Sequence, residues 1–152
     1  MSERSVTHAT FVIERTYDAS PARVFAAWSQ PEAKARWANC HDDYELDFRV
    51  GGREANRGQG PDGCFYSYEA RFLDIVPDRR IVYAYHMHRD DRRISVSLAT
   101  VELRPEGAAT RLVFTEQAAF LDGLERPQSR EQGTHAGLER LASELERRPA
   151  AA

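Results

Sequence analysis

Thr110-Arg-Leu-Val-Phe-Thr-Glu-Gln117, together with the helical pattern that opens at about Pro127 and runs to Leu145, decides the fold of this chain. The first piece alternates as a strand does, with Leu112, Phe114 and Glu116 on one face. A loop is expected through Phe120-Leu-Asp-Gly123. In the second piece, at about 100° per residue, Leu138, Leu141, Ala142 and Leu145 share a face, and carrying that face backwards adds Thr134, Glu131 and His135. The C-terminal half of this face can pack dry. The N-terminal half would bury a carboxylate, a hydroxyl and an imidazole, which is costly without partners, water or a ligand. That asymmetry predicts a cavity under the start of the helix.

Upstream, Thr10 to Tyr17 alternates with Phe11, Ile13 and Tyr17 on one face, as in a half-buried strand. Ser20 then offers an N-cap and Pro21 a first helical position, and Gln30-Pro31-Glu32 marks a second helix start. Two short helices are therefore expected after the first strand. Tyr44 to Val50 alternates with Leu46, Phe48 and Val50 inward, and Gly51-Gly52 breaks it. Arg53 to Gly60 reads as a short edge strand, and Cys64 to Ile75, Ile81 to Met87, Ile94 to Leu103 and Thr110 to Gln117 supply the rest. About seven antiparallel strands with segregated helices make an α+β domain spanning residues 1–152, its core about 10–147.

The length of 152 residues suits a single domain, and 41% apolar with 30% charged residues is ordinary for a soluble protein. No apolar run approaches the ~20 residues that span a bilayer. Lys and Arg number 21 against 24 Asp and Glu, a net charge of −3 that gives no general attraction to nucleic acid or anionic lipid. The first residues lack the basic start and apolar run of a signal peptide, so a cytoplasmic location is expected, in which Cys40 and Cys64 stay free. The tail Pro149–Ala152 is expected to fray.

Several segments carry a resemblance. Phe11-Val-Ile-Glu-Arg15, Ala19-Ser-Pro-Ala-Arg-Val-Phe-Ala-Ala-Trp28, Pro31 to Trp37, Phe48-Arg-Val-Gly-Gly52, Ile75-Val-Pro77 and Thr110 to Gln117 resemble the START/Bet v 1-like (SRPBCC) helix-grip superfamily. Within it they are most similar to bacterial proteins that resemble the C-terminal domain of the activator of the ninety-kilodalton heat-shock-protein ATPase. The resemblance implies a seven-stranded antiparallel sheet gripping a C-terminal helix, with a cavity that in many relatives holds an apolar or amphipathic small molecule. Some relatives are cyclases or hydrolases and many only bind. The eukaryotic activators use a separate N-terminal domain to contact the chaperone, for which this chain has no room, so that activity transfers least.

Glu116 has the sharpest claim to a site, since it shares the parity of Leu112 and Phe114. A carboxylate there can hold a ligand hydroxyl or amine, or act as a general base. The competing reading pairs it with an arginine such as Arg130 or exposes it at a bulge. Tyrosines on an inward parity stud an apolar pocket with hydroxyls that want partners. The expected ligand-binding set is Trp37, Tyr68, Tyr85, Glu116 and Phe120, with Glu131 and His135 from the helix. His86-Met-His88 suggests zinc, but Ile81, Tyr83, Tyr85 and Met87 take the inward parity and leave both histidines outside. The loop cluster His41-Asp-Asp43 carries no more weight, and neither metal nor cofactor is expected.

Three functions fit. The first is a binding protein for an apolar or amphipathic small molecule. The second is a cyclase- or hydrolase-like enzyme using Glu116 with His135 or a tyrosine. The third is an interaction module touching a chaperone, which requires a filled interior. Among protein partners, a homodimer stays open beside the chaperone contact.

Overall fold

Long-range pairing lengthens the strand at each end of the chain beyond its apolar pattern. β1 (Val6–Tyr17) and β7 (Ala109–Leu121) run antiparallel along their full lengths, from Val6 opposite Leu121 to Tyr17 opposite Thr110. The first strand therefore starts at Val6 and not Thr10. The last one continues through the segment expected to loop, and Phe120 is a buried strand residue. The computed structural model describes residues 4–147, and the expected fraying of Pro149–Ala152 falls outside them.

After β1, Ser20 accepts a hydrogen bond from the Arg23 amide and Pro21 opens α1 (Pro21–Ser29). Pro31 opens α2 (Pro31–Trp37) directly behind it. Then come β2 (Glu45–Leu46), β3 (Arg53–Gln59), β4 (Phe65–Val76), β5 (Arg80–Arg89), β6 (Arg92–Glu106), β7 and α3 (Pro127–Glu146). The seven strands form one antiparallel sheet in the order β1-β7-β6-β5-β4-β3-β2, wrapped on α3 as a helix-grip.

Between Tyr44 and Val50 the chain departs furthest from its sequence pattern. Only Glu45 and Leu46 pair, and Val50 is 57% exposed although its parity suggested burial. The cause is Gly52. A Cβ there would lie 2.0 Å from the Asp47 carbonyl oxygen, so the chain folds tightly on itself and leaves the strand direction. Gly58 is another close approach: a Cβ on it would lie 2.4 Å from the His41 ring, which packs against bare β3 backbone. That seats the loop between α2 and β2 beside the sheet.

A register shift between β5 and β6 sets which residues of β6 face the interior. Met87 faces Ser95 while His88 faces Arg93, so Ile94 is extra and both Ile94 and Ser95 are buried. From there the inward parity of β6 reads Ser95, Ser97, Ala99, Val101, Leu103. The core lies between this face and the C-terminal half of α3. Leu138 and Leu141 pack there with Phe11, Ile13, Leu112, Phe114, Val24 and Trp28. Each fully buried leucine is worth roughly 1.5–3 kcal/mol. The Tyr17 hydroxyl donates to the Leu138 carbonyl at 2.9 Å, fixing the helix against β1.

Candidate functional site

Toward its N-terminus, α3 stands away from the sheet and leaves a cleft of about 750 Å³. Its sheet wall carries Tyr68, Tyr83, Tyr85 and Glu116, its α1/α2 wall Trp28, Lys34 and Trp37, and its helix wall Arg130, Gly133, Thr134 and Gly137. The aromatic rings touch one another, Tyr68 and Tyr85 at 4.9 Å and Trp28 and Trp37 at 4.8 Å between centroids. Burial raises the pKa of Tyr68 and of Tyr83 well above that of an ordinary phenol, as does the negative charge of nearby Glu54. These hydroxyls stay protonated at neutral pH.

Two carboxylates are buried in the walls, each met by a cation. Glu116, 1% exposed, accepts at one oxygen, Oε2, from the Tyr85 hydroxyl at 2.6 Å, Ser97 Oγ at 2.9 Å and an Arg130 guanidinium nitrogen at 3.3 Å. Tyr85 stands opposite Ser97 and Glu116 opposite Ala99, so only small residues of β6 lie between the ring and the carboxylate. Arg130 also donates to the Tyr85 hydroxyl at 2.8 Å and to Ser95 Oγ at 2.8 Å. It grips Glu125 in bidentate fashion at 2.8 and 2.6 Å. Its guanidinium lies over the rings of Tyr85 and Phe120, at 5.6 and 5.3 Å. Burial opposes the charge on Arg130, and Tyr85, Glu125 and Glu116 outweigh it, moving its pKa upward.

Across the cleft Glu54, 2% exposed, accepts from Lys34 Nζ at 2.9 Å, from the Tyr44 hydroxyl, and from the Tyr68 hydroxyl at 3.2 Å. The Lys34 ammonium lies over Trp28 and Trp37, at 5.0 and 5.5 Å from the ring centres. Trp37 donates its indole N–H to the Ala27 carbonyl at 2.7 Å. A buried ion pair contributes little net stability because desolvation offsets attraction. Here the pairs join separate elements across a gap that no apolar side chain fills.

Of the residues singled out from the sequence, Trp37, Tyr68, Tyr85 and Glu116 line the cleft. Phe120 does not; it lies beneath the Arg130 guanidinium. Glu131 and His135 are also off the wall, each side chain 45% exposed, with His135 beside Glu131 at 3.9 Å and Arg15 at 3.3 Å. The leucine stripe, projected backwards, centres on Leu138 and Leu145. The cleft instead faces the line through Leu141, Gly137, Thr134 and Arg130. Glycine carries no hydropathy signal, so periodicity passes over this line. The clue available is two glycines in a helix interior, each costing up to about 1 kcal/mol and calling for a packing or functional reason. Lys34 and Glu54 give no sequence signal, since only the tertiary fold joins a short helix to a strand. His86 and His88 point outward from β5, with burial and Arg93 holding the His86 pKa below its ordinary value. Among the described residues no cluster of three His, Cys, Asp or Glu is placed to hold a metal. Nor is any described helix long and apolar enough to cross a membrane.

The sequence model of the family described as activator of Hsp90 ATPase homolog 1-like protein (AHSA1) matches residues 18–148. The chain belongs to this family. A protein from Rhizobium leguminosarum has a structure similar to this one: 50% identity, 97% of this chain and 100% of that one covered, TM-score 0.92. Mll3558 from Rhizobium loti is 48% identical, covering 92% and 99% of the two chains at a TM-score of 0.88. CV1439 from Chromobacterium violaceum is 25% identical, covering 91% and 98% at 0.75. Among curated proteins none matches. The AHSA1-like assignment agrees with the helix-grip architecture, and the family generally binds ligands in a cavity.

Proposed function

We propose that this chain is a cytoplasmic binding protein that takes an apolar or amphipathic small molecule into the cleft between the sheet and α3. The observation that carries the reading is the combination of an aromatic-walled space of about 750 Å³ with buried, hydrogen-bonded carboxylates on its walls. Ligand sites are typically ~300–1,000 Å³, mostly apolar, with a few placed polar groups. Trp37, Tyr68 and Tyr85 supply apolar contact and Glu116 fixes orientation. Phe120, Glu131 and His135 drop out of the proposed contacts. Glu54, Lys34, Gly133 and Gly137 join them. The interaction-module alternative requires a filled interior, and the open cleft speaks against it.

The test is native mass spectrometry of the purified protein beside the same sample denatured. A discrete small molecule that leaves on unfolding is the expected result. A protein that carries no such mass and also fails to bind the neutral apolar dye Nile red would overturn the proposal.

A further inference from the structure

The hydrogen bonds at the deep end of the cleft are unevenly spent. Arg130 has five N–H donors. One nitrogen donates to Glu125, a second to Tyr85 and Glu116, and the third to Ser95 and Glu125, so every donor is engaged. The Tyr85 hydroxyl donates to Glu116 and accepts from Arg130. Ser97 donates to Glu116 as well. No charged donor is left over here for an anion, and the protons that remain belong to neutral hydroxyls such as Ser95, which only accepts from Arg130.

Acceptors, by contrast, remain. All three bonds to Glu116 converge on Oε2, and among the described residues Oε1 receives none. The Tyr83 hydroxyl, on a side chain 6% exposed and on the same cleft wall, likewise has no partner among the described residues. Neither atom belongs to the fully enclosed unpaired side-chain groups among the described residues, which are Trp28 Nε1 and His86 Nδ1. Charge points the same way: Glu116 and Glu125 together carry one more negative charge than Arg130 neutralises. On the opposite wall both oxygens of Glu54 are occupied, and Lys34 is bonded to it between two indole faces.

We infer that the polar end of the ligand is a hydrogen-bond donor, a hydroxyl or a protonated amine, and that Glu116 Oε1 and the Tyr83 hydroxyl receive it. This rests on the small-molecule reading of the cleft and narrows its ligand class. A carboxylate head would meet the Glu116 oxygen and the surplus negative charge around it, with only the neutral Tyr83 hydroxyl as a donor beside it. It is therefore rejected in the deep end, although Arg89, Arg126 and Arg140 also border the cleft, Arg89 and Arg140 donating to the carbonyls of Leu124 and Trp37. The apolar body lies against Tyr68, Tyr85, Trp28 and Trp37.

The experiment titrates the intact protein with n-decanol, n-decylamine and decanoate, below their aggregation thresholds, and reads tryptophan fluorescence, since both indoles border the cleft. Alcohol and amine are expected to bind at least about tenfold more tightly than decanoate, because an unmatched buried acceptor costs ~1–3 kcal/mol. Tyr83→Phe removes a hydroxyl that has no protein partner among the described residues. It should leave thermal stability unchanged and weaken decanol binding several-fold. Decanoate binding as tightly as the other two, or Tyr83→Phe binding decanol like the parent, overturns the donor-head inference and leaves the cleft reading intact. Failure of all three to bind sinks the cleft reading and the inference with it.

Discussion

Gly133 offers the most direct handle on the cleft. It lies in the interior of α3 on the cleft wall, and a Cβ added to it meets no atom within 4 Å. Two effects of substitution therefore separate. Replacing glycine by alanine inside a helix gains ~0.8–1 kcal/mol, and for a domain of this size each kcal/mol raises the melting temperature by about 2–4 °C. Gly133→Ala should therefore melt a few degrees higher than the parent, with nothing sterically opposed to it. Gly133→Phe keeps part of that gain and projects a ring into the space. An aromatic side chain covers roughly 150–250 Å². Displacing even ~60 Å² of ligand contact at ~25 cal/mol per Å² costs ~1.5 kcal/mol, slightly more than tenfold in affinity. The assays are differential scanning calorimetry and a Nile red titration. Gly133→Phe should be at least as stable as the parent and bind the dye more than about tenfold more weakly. A Gly133→Phe protein that binds Nile red like the parent would refute the idea that an occupied cleft lies against this face. A destabilised Gly133→Ala would refute the account of the helix.

The ionic clusters and the thiols give further expected outcomes. Arg130→Met strands Glu116 and Glu125 and should cost about 3–5 kcal/mol by urea denaturation; adding Glu116→Gln should recover part of this, and a double variant no more stable than Arg130→Met would count against the coupling. The Glu144 carboxyl is held below its ordinary value of 4.5, chiefly by the hydrogen bond from Arg36. A depressed folded pKa stabilises above the unfolded value and loses that contribution as pH falls through the folded one. Glu144→Gln should therefore be less stable than the parent at neutral pH, with the gap closing below about pH 4; a pH-independent gap would contradict it. Burial pushes the Cys40 thiol up to about 11, and Cys40 borders the cleft whereas Cys64 does not. Peptide mapping after iodoacetamide at neutral pH should find Cys64 modified first, and a bound cleft ligand should slow Cys40 alone.

How far each feature is legible in the sequence depends on which interactions set it. Strand parity survives long-range context because its period is two, so Leu112, Phe114 and Glu116 fall on one face and all are buried. Helix starts at Pro21, Pro31 and Pro127 are legible because proline is tolerated at the first position and little further in. Strand ends are not, since Val6 and Leu121 owe their places to each other. Val50 escapes its parity because the close approach at Gly52 turns the chain before alternation can continue. On α3 the leucines locate the dry half correctly, but an angular error of one residue line moves the polar half from Arg130 and Gly133 to Glu131 and His135. The two readings of Glu116, cavity wall and arginine partner, prove compatible: it lines the cleft and is paired with Arg130.

That compatibility explains how an open cleft is held. A helix carrying leucine along its whole inner face would close onto the sheet and leave no space. In α3 only Leu138 and Leu141 reach the core fully buried, and the preceding turns present Gly137, Thr134 and Gly133. On the sheet side β6 contributes only small buried residues, Ser95, Ser97 and Ala99, and the wall opposite the helix is built by the rings of Tyr68, Tyr83 and Tyr85. Apolar contact cannot fix the distance where the helix face recedes from those rings. The Arg130 guanidinium does so instead, reaching Glu116 on β7, the Tyr85 hydroxyl on β5 and Ser95 on β6 at once. Lys34 and Glu54 tie α2 to β3 in the same way on the other side. Buried charge is expensive where a hydrophobic core could form, but it spans a gap with directional bonds, which dispersion across that gap cannot do. The ionic pairs thus set the width of the cleft, and Glu116 Oε1, left unpaired by them, is the acceptor on which the inferred donor head depends.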